Sequence, residues 1–319
     1  MGTAESGHQP VMTDRVLALL APALEPRGAI LLDATLGRSG HARALLGQHP
    51  GLALIGVDTD DAAIEASRLL LAPFLERVTL VHAVYDEIPA ILARLGSPAV
   101  QGILFDLGVS SAQLDDPGRG FAYSHDAPLD MRMDTSARLT AADVVNTYPA
   151  ARLARVLRDY GEERFARRIA DALVRERSQA PLTSTMRLSE IVRDSIPAPA
   201  RRHGGHPAKR TFQALRIEVN GELDALGRAL PAAMDAVTVG GRIVVLSYHS
   251  LEDRLVKRAF AERATDTTPR GLPVSLPAGR PQFRVLTRGA ERPAEDEVAA
   301  NPRAASARLR AAERIRAAA

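Results

Sequence analysis

Leu31-Leu32-Asp33-Ala34-Thr35-Leu36-Gly37-Arg38-Ser39-Gly40-His41 is the stretch around which this chain is organised. Residues 29–32 are apolar, a turn with two glycines follows the carboxylate of Asp33, and residues 42–46 have helical composition. The order strand, small-residue turn, helix lets backbone N–H groups at a helix N-terminus approach a ligand. The stretch therefore predicts a nucleotide-type binding turn.

A second apolar run, residues 52–57, ends at Asp58. Asp58 follows Gly37 by about 20 positions, which is the usual distance from a glycine turn to a ribose-binding acid. We therefore expect a ligand that carries a ribose.

The composition of the turn distinguishes between cofactors. Nicotinamide and flavin sites read G-x-G-x-x-G, whereas this turn has only Gly37 and Gly40. Asp33 would repel a pyrophosphate and suits a cofactor with a cationic end. S-adenosylmethionine, with an ammonium and a sulfonium group, is such a cofactor. The alternative is structural: the two glycines make a tight turn and Asp33 caps it.

The composition restricts the class of protein. A length of 319 residues suggests about two domains, and 46% hydrophobic residues are enough for a real core. The absence of cysteine excludes disulfides and thiolate metal sites, and we expect no metal. No apolar run approaches the roughly 20 residues of a membrane span, and no signal-peptide pattern is present. We expect a cytoplasmic protein without a membrane partner, and the sequence specifies no oligomeric state.

Charge is segregated along the chain. Residues 1–134 contain 9 basic and 17 acidic side chains, while residues 135–216 contain 16 and 8. Residues 217–253 are again acidic, and residues 254–319 contain 14 basic and 7 acidic side chains. A general preference for arginine over lysine would not separate the two signs. Two basic segments attached to an acidic core indicate a nucleic-acid partner.

Strands alternate with helices in the first third of the chain, which predicts a parallel sheet. Asp33, Asp58, Tyr85 and Asp106 each lie at or just after the end of a predicted strand. Ligands of such sheets bind beyond the carboxyl ends of the strands. We expect these four side chains on one rim.

The alternation stops after Asp106, becomes helical from Thr140 to Ile196, and resumes with a strand at residues 241–246. The helical part is therefore an insertion into an α/β fold. The predicted domains are a first part of the sheet domain (1–134), an all-helical insertion (135–210), and a second sheet part with a basic C-terminal tail (211–319). The arginines of residues 162–177 form either a solvated face or a direct RNA contact.

Three local predictions concern the second half. Residues 212–234 are predicted to be one long helix, and Ser250 is predicted to cap the helix after the last core strand. The tail from Ala305 to Arg316 alternates as in a strand, but its alanines favour a helix.

The chain resembles the bacterial small-subunit rRNA cytosine-N4 methyltransferases, the RsmH family, formerly called MraW. The resemblance covers nearly the whole chain and rests on the turn quoted above and on six further blocks in the family's order. These blocks are His8-Gln9-Pro10-Val11, residues 105–115 (FDLGVSSAQLD), residues 128–133 (PLDMRM), residues 160–163 (YGEE), residues 206–217 (HPAKRTFQALRI) and residues 249–254 (HSLEDR).

The resemblance implies a Rossmann-like S-adenosylmethionine-dependent methyltransferase sheet with a small all-helical substrate-recognition insertion. It implies methylation of the exocyclic N4 of a cytidine in the decoding region of 16S rRNA within the small ribosomal subunit. Carried over by position, it assigns cofactor binding to seven residues. These are Ser39, Gly40, His41, Asp58, Tyr85, Asp106 and Gln113.

The family's usual residues differ in the turn and in the tail: Gly stands where this chain has Ser39, Ser where it has Ala42, and Arg where it has Ala305. Asp106 is our first candidate to accept a hydrogen bond from the amine, and a cofactor contact is the alternative role. Asp130 and His249 are weaker candidates, with structural roles as a salt-bridge partner and a helix orienter as the alternatives.

Two other classes of function compete with this interpretation. One is a nucleotide-dependent dehydrogenase on the same sheet, which the missing third glycine and Asp33 disfavour. The other is a non-catalytic RNA-binding assembly factor.

Overall fold

The computed structural model describes residues 10–97, 99–201, 206–268 and 279–317. His8 and Gln9 of the first family block lie outside these ranges. Contacts divide the chain into two compact units, one made of Met1–Gly108 with Asp224–Ala319 and the other of Val109–Leu223.

The first unit contains a seven-stranded sheet in the order β3-β2-β1-β4-β5-β7-β6. Strands β1 to β5 are parallel, and β7 runs antiparallel to both of its neighbours. The strands are β1 (Ile30–Asp33), β2 (Ala53–Asp58), β3 (Val78–His82), β4 (Val100–Asp106), β5 (Val237–Ser247), β6 (Phe283–Val285) and β7 (Arg308–Arg314). The predicted α/β sheet is confirmed.

Helices precede, connect and follow these strands. They are α1 (Thr13–Leu24), α2 (Gly40–Gln48), α3 (Asp61–Leu70), α4 (Ile88–Arg94), α5 (Ser111–Asp115), α6 (Ala141–Thr147), α7 (Ala150–Gly161), α8 (Ala166–Arg177), α9 (Thr185–Ser195), α10 (Ala198–Arg201), α11 (Lys209–Asn220), α12 (Glu222–Ala236), α13 (Ser250–Ala264) and α14 (Glu295–Ala300). Among the described residues, no helix combines the length and the apolar character that a membrane span requires.

Both faces of the sheet are buried. Successive strand residues point to opposite faces, so Leu31 and Leu104 pack in one core cluster while Leu32 and Phe105 pack in the other. Coverage on both faces explains why these strands read as continuous apolar runs rather than alternating ones. In β1, β2 and β4 the aspartates are the last residues of the strands.

The second unit has its own helical core. The residues that form this core extend beyond the predicted insertion, residues 135–210, at both ends. The buried cluster of this unit includes Phe121 and Met131, which precede that range. It also includes Phe212 and Leu215, which follow it. The apolar side chains of the flanking segments complete the helical core, and the unit therefore starts directly after β4.

Gly221 divides the predicted helix 212–234 into α11 and α12. Its φ of +59° ends α11 in the left-handed conformation that glycine adopts without strain. The prediction of one long helix was therefore wrong. The cap of α13 was also assigned one residue too late, because His249 is the N-cap residue and Glu252 its capping-box partner.

The C-terminal segment forms a strand inside the sheet. Residues 308–314 are β7, hydrogen-bonded to β5 on one side and β6 on the other. The side chains of Arg308 and Arg310 both pair with Asp253, at 3.3 and 2.7 Å. These two arginines therefore bind the protein itself, and the predicted basic tail is in large part a structural strand.

Candidate functional site

Asp33 is the last residue of β1, and its side chain is buried. The Thr35 amide donates a hydrogen bond of 3.2 Å to its Oδ1. Burial raises the pKa of the Asp33 carboxyl to about 7; the Thr35 hydrogen bond opposes this shift, and the charges of Asp106 and Asp58 add to it. The three carboxyl groups therefore interact electrostatically at one end of the sheet.

Asp58, the last residue of β2, holds the glycine turn directly. The Gly37 amide donates a 2.7 Å hydrogen bond to Oδ2, and the Asp60 amide donates one of 2.9 Å to Oδ1. Burial raises the pKa of the Asp58 carboxyl despite these two amide donors. The acid at the end of the second strand therefore contacts the glycine turn directly.

Ser39 lies in the left-handed conformation, with φ +58°, and is fully buried. Its hydroxyl donates a 2.5 Å hydrogen bond to Ser67 Oγ, and the Ser67 hydroxyl donates one of 3.0 Å to the Gly37 carbonyl oxygen. This chain of hydrogen bonds explains how the turn accommodates a side chain. At Gly40 a Cβ would lie 2.2 Å from Pro10 Cγ, so the glycine lets the N-terminal segment pack closely.

His41 links the turn region to Asp106. Its Nε2 lies 2.9 Å from the Val11 carbonyl oxygen, and its Nδ1 lies 3.5 Å from Asp106 Oδ2. The imidazole is 4% exposed, so these contacts determine its orientation.

Asp106, at the end of β4, is held from two other strands. Its amide donates a 2.6 Å hydrogen bond to Thr35 Oγ1, and the Tyr248 hydroxyl donates one of 2.7 Å to Asp106 Oδ1. Burial raises the pKa of Tyr248 well above its ordinary value, and the Asp106 charge adds to this shift. Tyr248 therefore keeps its proton and remains a donor.

Tyr85 follows β3 in a short 3-10 segment, Tyr85–Glu87. Its ring meets the ring of Phe105 edge-on, with the centroids 5.8 Å apart. Phe105 immediately precedes Asp106 in β4, so Tyr85 is held next to the end of that strand.

Gln113 belongs to the second unit, where it is a buried member of a capping box. Its Oε1 accepts a 2.9 Å hydrogen bond from the Ser110 amide, and its own amide donates one of 3.2 Å to Ser110 Oγ. The other six predicted site residues belong to the first unit. The cofactor role of all seven stays a prediction.

The two weaker catalytic candidates have structural contacts. Asp130 forms a 2.7 Å ion pair with Arg132, and the Arg132 interactions lower the pKa of Asp130 although its burial opposes this. His249 caps α13 through Glu252. These contacts match the structural alternatives for both residues.

Sequence reasoning missed three residues that hold the site together, namely Thr35, Ser67 and Tyr248. Ser67 lies within α3, and no sequence pattern distinguishes it from an exposed helical serine. Tyr248 could have been found, because it directly follows the last predicted core strand. Position at or just after the end of a strand was the criterion that identified the other rim residues.

The carboxyl groups of the rim suit a cationic ligand. In the described part of the chain neither Asp33 nor Asp58 has an ion-pair partner, although Asp33 is buried and Asp58 is partly buried. Buried carboxyl groups without a basic partner are costly, and a positive ligand would offset that cost. The donor set therefore fits the sulfonium and ammonium of S-adenosylmethionine. Among the described residues no cluster of three metal-ligating side chains occurs.

The strand order, with an antiparallel β7 between β5 and β6, and this acidic rim define a Rossmann-like methyltransferase. The model of the MraW methylase family matches residues 5–315. The chain belongs to this family and uses S-adenosylmethionine as methyl donor.

Curated relatives match the chain along nearly its full length. Ribosomal RNA small subunit methyltransferase H of Thermobifida fusca is 64% identical over 315 residues, which cover 99% of this chain and 96% of the relative. The protein of the same name from Saccharopolyspora erythraea is 63% identical with the same coverage. That from Frankia alni is 65% identical over 309 residues, which cover 96% of this chain and 95% of the relative.

Proposed function

We propose that this enzyme methylates the exocyclic N4 of a cytidine in the decoding region of 16S rRNA. The observation that carries the proposal is the identity above 60%, over nearly the whole chain, with relatives named as small-subunit rRNA methyltransferases. The position of the target and its N4 atom follow from the family resemblance of the sequence blocks.

In this proposal the rim residues bind the cofactor. Asp58 binds the ribose hydroxyls and Tyr85 lies beside the adenine. Ser39, Gly40 and His41 surround the methionine end, and Asp106 and Gln113 complete the site. The buried carboxyl of Asp33 supports this arrangement because it would attract the positive end of the cofactor.

Cytosine N4 is a poor nucleophile because its lone pair is delocalised into the ring. S-adenosylmethionine supplies the electrophilic methyl group. Asp106 is the candidate to accept a hydrogen bond from the amine while positive charge develops on its nitrogen, and such preorganised acceptors stabilise transition states. Tyr248 and His41 fix the orientation of the Asp106 carboxylate and act as positioning residues.

The helical unit is the proposed substrate-recognition domain. The target base must leave its stack to reach a methyltransferase site, and arginines that contact phosphates would hold the surrounding RNA. Since the proposed substrate is the small ribosomal subunit, we place the enzyme in the cytoplasm.

Mass spectrometry of rRNA nucleosides tests the proposal directly. The protein is incubated with isotope-labelled S-adenosylmethionine and small subunits that lack the modification. Label is expected in N4-methylcytidine, and label in another nucleoside would overturn the substrate assignment. Binding of S-adenosylmethionine without transfer to any rRNA would instead favour the assembly-factor interpretation.

A further inference from the structure

A groove of about 630 Å³ lies between α8 and α9 of the helical unit. We refer to it as the α8–α9 groove. Its floor contains Ala172 from α8 and Ile191 from α9, both of which are 5% exposed. Charged residues of both helices form the two walls.

The α8 wall carries three exposed arginines, Arg167, Arg168 and Arg175. None of their guanidinium groups has a hydrogen bond or ion pair with any described residue. Asp171, the one carboxylate between them, also has no such partner. The α8 wall therefore keeps a net positive charge that the protein itself does not neutralise.

The charges of the α9 wall, in contrast, are compensated. Arg187 pairs with Glu176 at 2.6 Å and with Glu190 at 3.2 Å. Asp194 pairs with Arg193 at 3.2 Å. Free positive charge in the groove is thus confined to the α8 wall.

The spacing of the free arginines matches a nucleic-acid backbone. Arg167 and Arg175 are eight residues apart on one helix, which corresponds to about 12 Å along its axis. Successive phosphates of one strand of duplex DNA lie roughly 3.4 Å apart along the axis, so about 12 Å is long enough to contact several phosphates of an RNA strand. Arginine also binds phosphate oxygens with two parallel hydrogen bonds, which makes phosphate a suitable ligand here.

We propose that the α8–α9 groove binds the phosphate backbone of the RNA substrate through Arg167, Arg168 and Arg175. This inference rests on the proposed function for the identity of the RNA. Of the two interpretations that the sequence left open for the arginines of this helix, a solvated face or a direct RNA contact, it selects the RNA contact. It also implies that the contact adds affinity without reading sequence, because phosphates carry no base information.

Two variants of the groove test the proposal with effects of opposite sign. Arg167→Gln with Arg168→Gln should raise the Kd for a 16S rRNA transcript about tenfold at 0.1 M salt. It should also lower the slope of log K against log salt by about 1.4, since each single-strand phosphate contact contributes about 0.7. Asp171→Asn removes the opposing carboxylate and should lower the Kd severalfold.

The control is the double substitution Arg138→Gln with Arg155→Gln, at two exposed residues that, like the groove arginines, have no ion pair with any described residue. It removes the same charge from the same unit outside the groove and should change the Kd less than threefold. Fluorescence anisotropy at several salt concentrations measures all four proteins. Thermal unfolding checks that all four proteins are folded. If the groove double variant is unfolded, the affinity of Asp171→Asn still tests the proposal.

The same measurements are repeated with small ribosomal subunits, and equal losses for the groove and control variants on both substrates would overturn the proposal. If the groove variant loses affinity without a smaller salt slope, the groove contacts something other than phosphates and the proposal is wrong. Methylation assays run in parallel separate this inference from the proposed function. If the protein methylates N4 of cytidine and the groove variants bind RNA as tightly as the wild type, the groove proposal is wrong and the proposed function stands. If RNA binding depends on the groove but N4 of cytidine is not methylated, the proposed function is wrong and the groove proposal stands.

Discussion

The phenol of Tyr248 donates a hydrogen bond of 2.7 Å to Oδ1 of Asp106. The bond joins the residue after β5 to the last residue of β4, two neighbouring parallel strands. Gly108, two residues after Asp106, has a φ of +91°, a backbone conformation that favours glycine. The carboxylate that we propose to face the target amine is therefore oriented by the adjacent strand.

Tyr248→Phe should keep the packing of the ring and remove the donor. A hydrogen bond to a charged group is worth about 1.5–3 kcal/mol, so the free energy of unfolding should fall by about that amount. Denaturant titration measures this change. The Km for S-adenosylmethionine should change less than kcat, since the hydroxyl orients an acceptor for the amine. An unchanged kcat would remove Tyr248 from the positioning role.

Asp33 should make the stability of the protein depend on pH. An aspartate in an unfolded chain titrates near 3.9, and burial raises the pKa of Asp33 to about 7 in the fold. Between these values the folded state holds a proton that the unfolded state has lost. The free energy of unfolding should therefore fall as pH rises from about 4 to about 7, by about 4 kcal/mol in total.

Asp33→Asn mimics the protonated side chain and should abolish this contribution. The variant should be more stable than the wild-type protein at pH 8 and similar to it at pH 4, in urea titrations across that range. The exposed Asp14 provides the control, since Asp14→Asn should leave the pH profile of the wild type unchanged. A parallel pH profile for Asp33→Asn and the wild type would contradict the prediction.

Asp58→Asn should weaken cofactor binding while the fold is retained. The amide keeps one oxygen for the turn but loses the charge that would bind the ribose hydroxyls. Hydrogen bonds to charged groups are worth about 1.5–3 kcal/mol, so the Kd should rise about 10- to 150-fold. The increase should be equal for S-adenosylhomocysteine, which has the same ribose and an uncharged sulfur. Calorimetry measures both ligands, and an unchanged Kd would exclude Asp58 from the site.

The matched control for Asp58 is Asp61→Asn, three residues along the same strand-to-helix connection. Asp61 is exposed and pairs with His82 at 3.2 Å. Its substitution should leave both cofactor affinities unchanged.

Ser39 tests how the turn tolerates a side chain. Ser39→Gly removes the hydrogen bond to Ser67 but also relieves the left-handed backbone, and these two effects are each worth about 1 kcal/mol. They should nearly cancel. Ser39→Ala loses the hydrogen bond and keeps the strain, so it should be less stable than Ser39→Gly by about 1 kcal/mol in chemical unfolding. Equal stability of the two variants would show that the backbone at this position is not strained.

The predictions that depended on neighbouring residues agree best with the structure. The strand and the helix on either side of the Gly37 turn form as the sequence predicts. Both depend on contacts within a few residues. The prediction of one helix over residues 212–234 was wrong because a single glycine, Gly221, does not exclude a helix in an apolar pattern. The positive φ of Gly221 shows that α11 ends there.

The sequence by itself determined the alternating strands and helices, the acids at the strand ends and the cofactor class. These features depend on local periodicity and on the chemistry of each side chain. The tertiary structure alone decided that Tyr248 and His41 converge on Asp106 and that Arg308 and Arg310 bind Asp253. It also decided that three arginines of α8 have no ion pair with any residue that the structure describes. These facts depend on which distant residues the fold brings within hydrogen-bond distance, and no pattern along the chain encodes that distance.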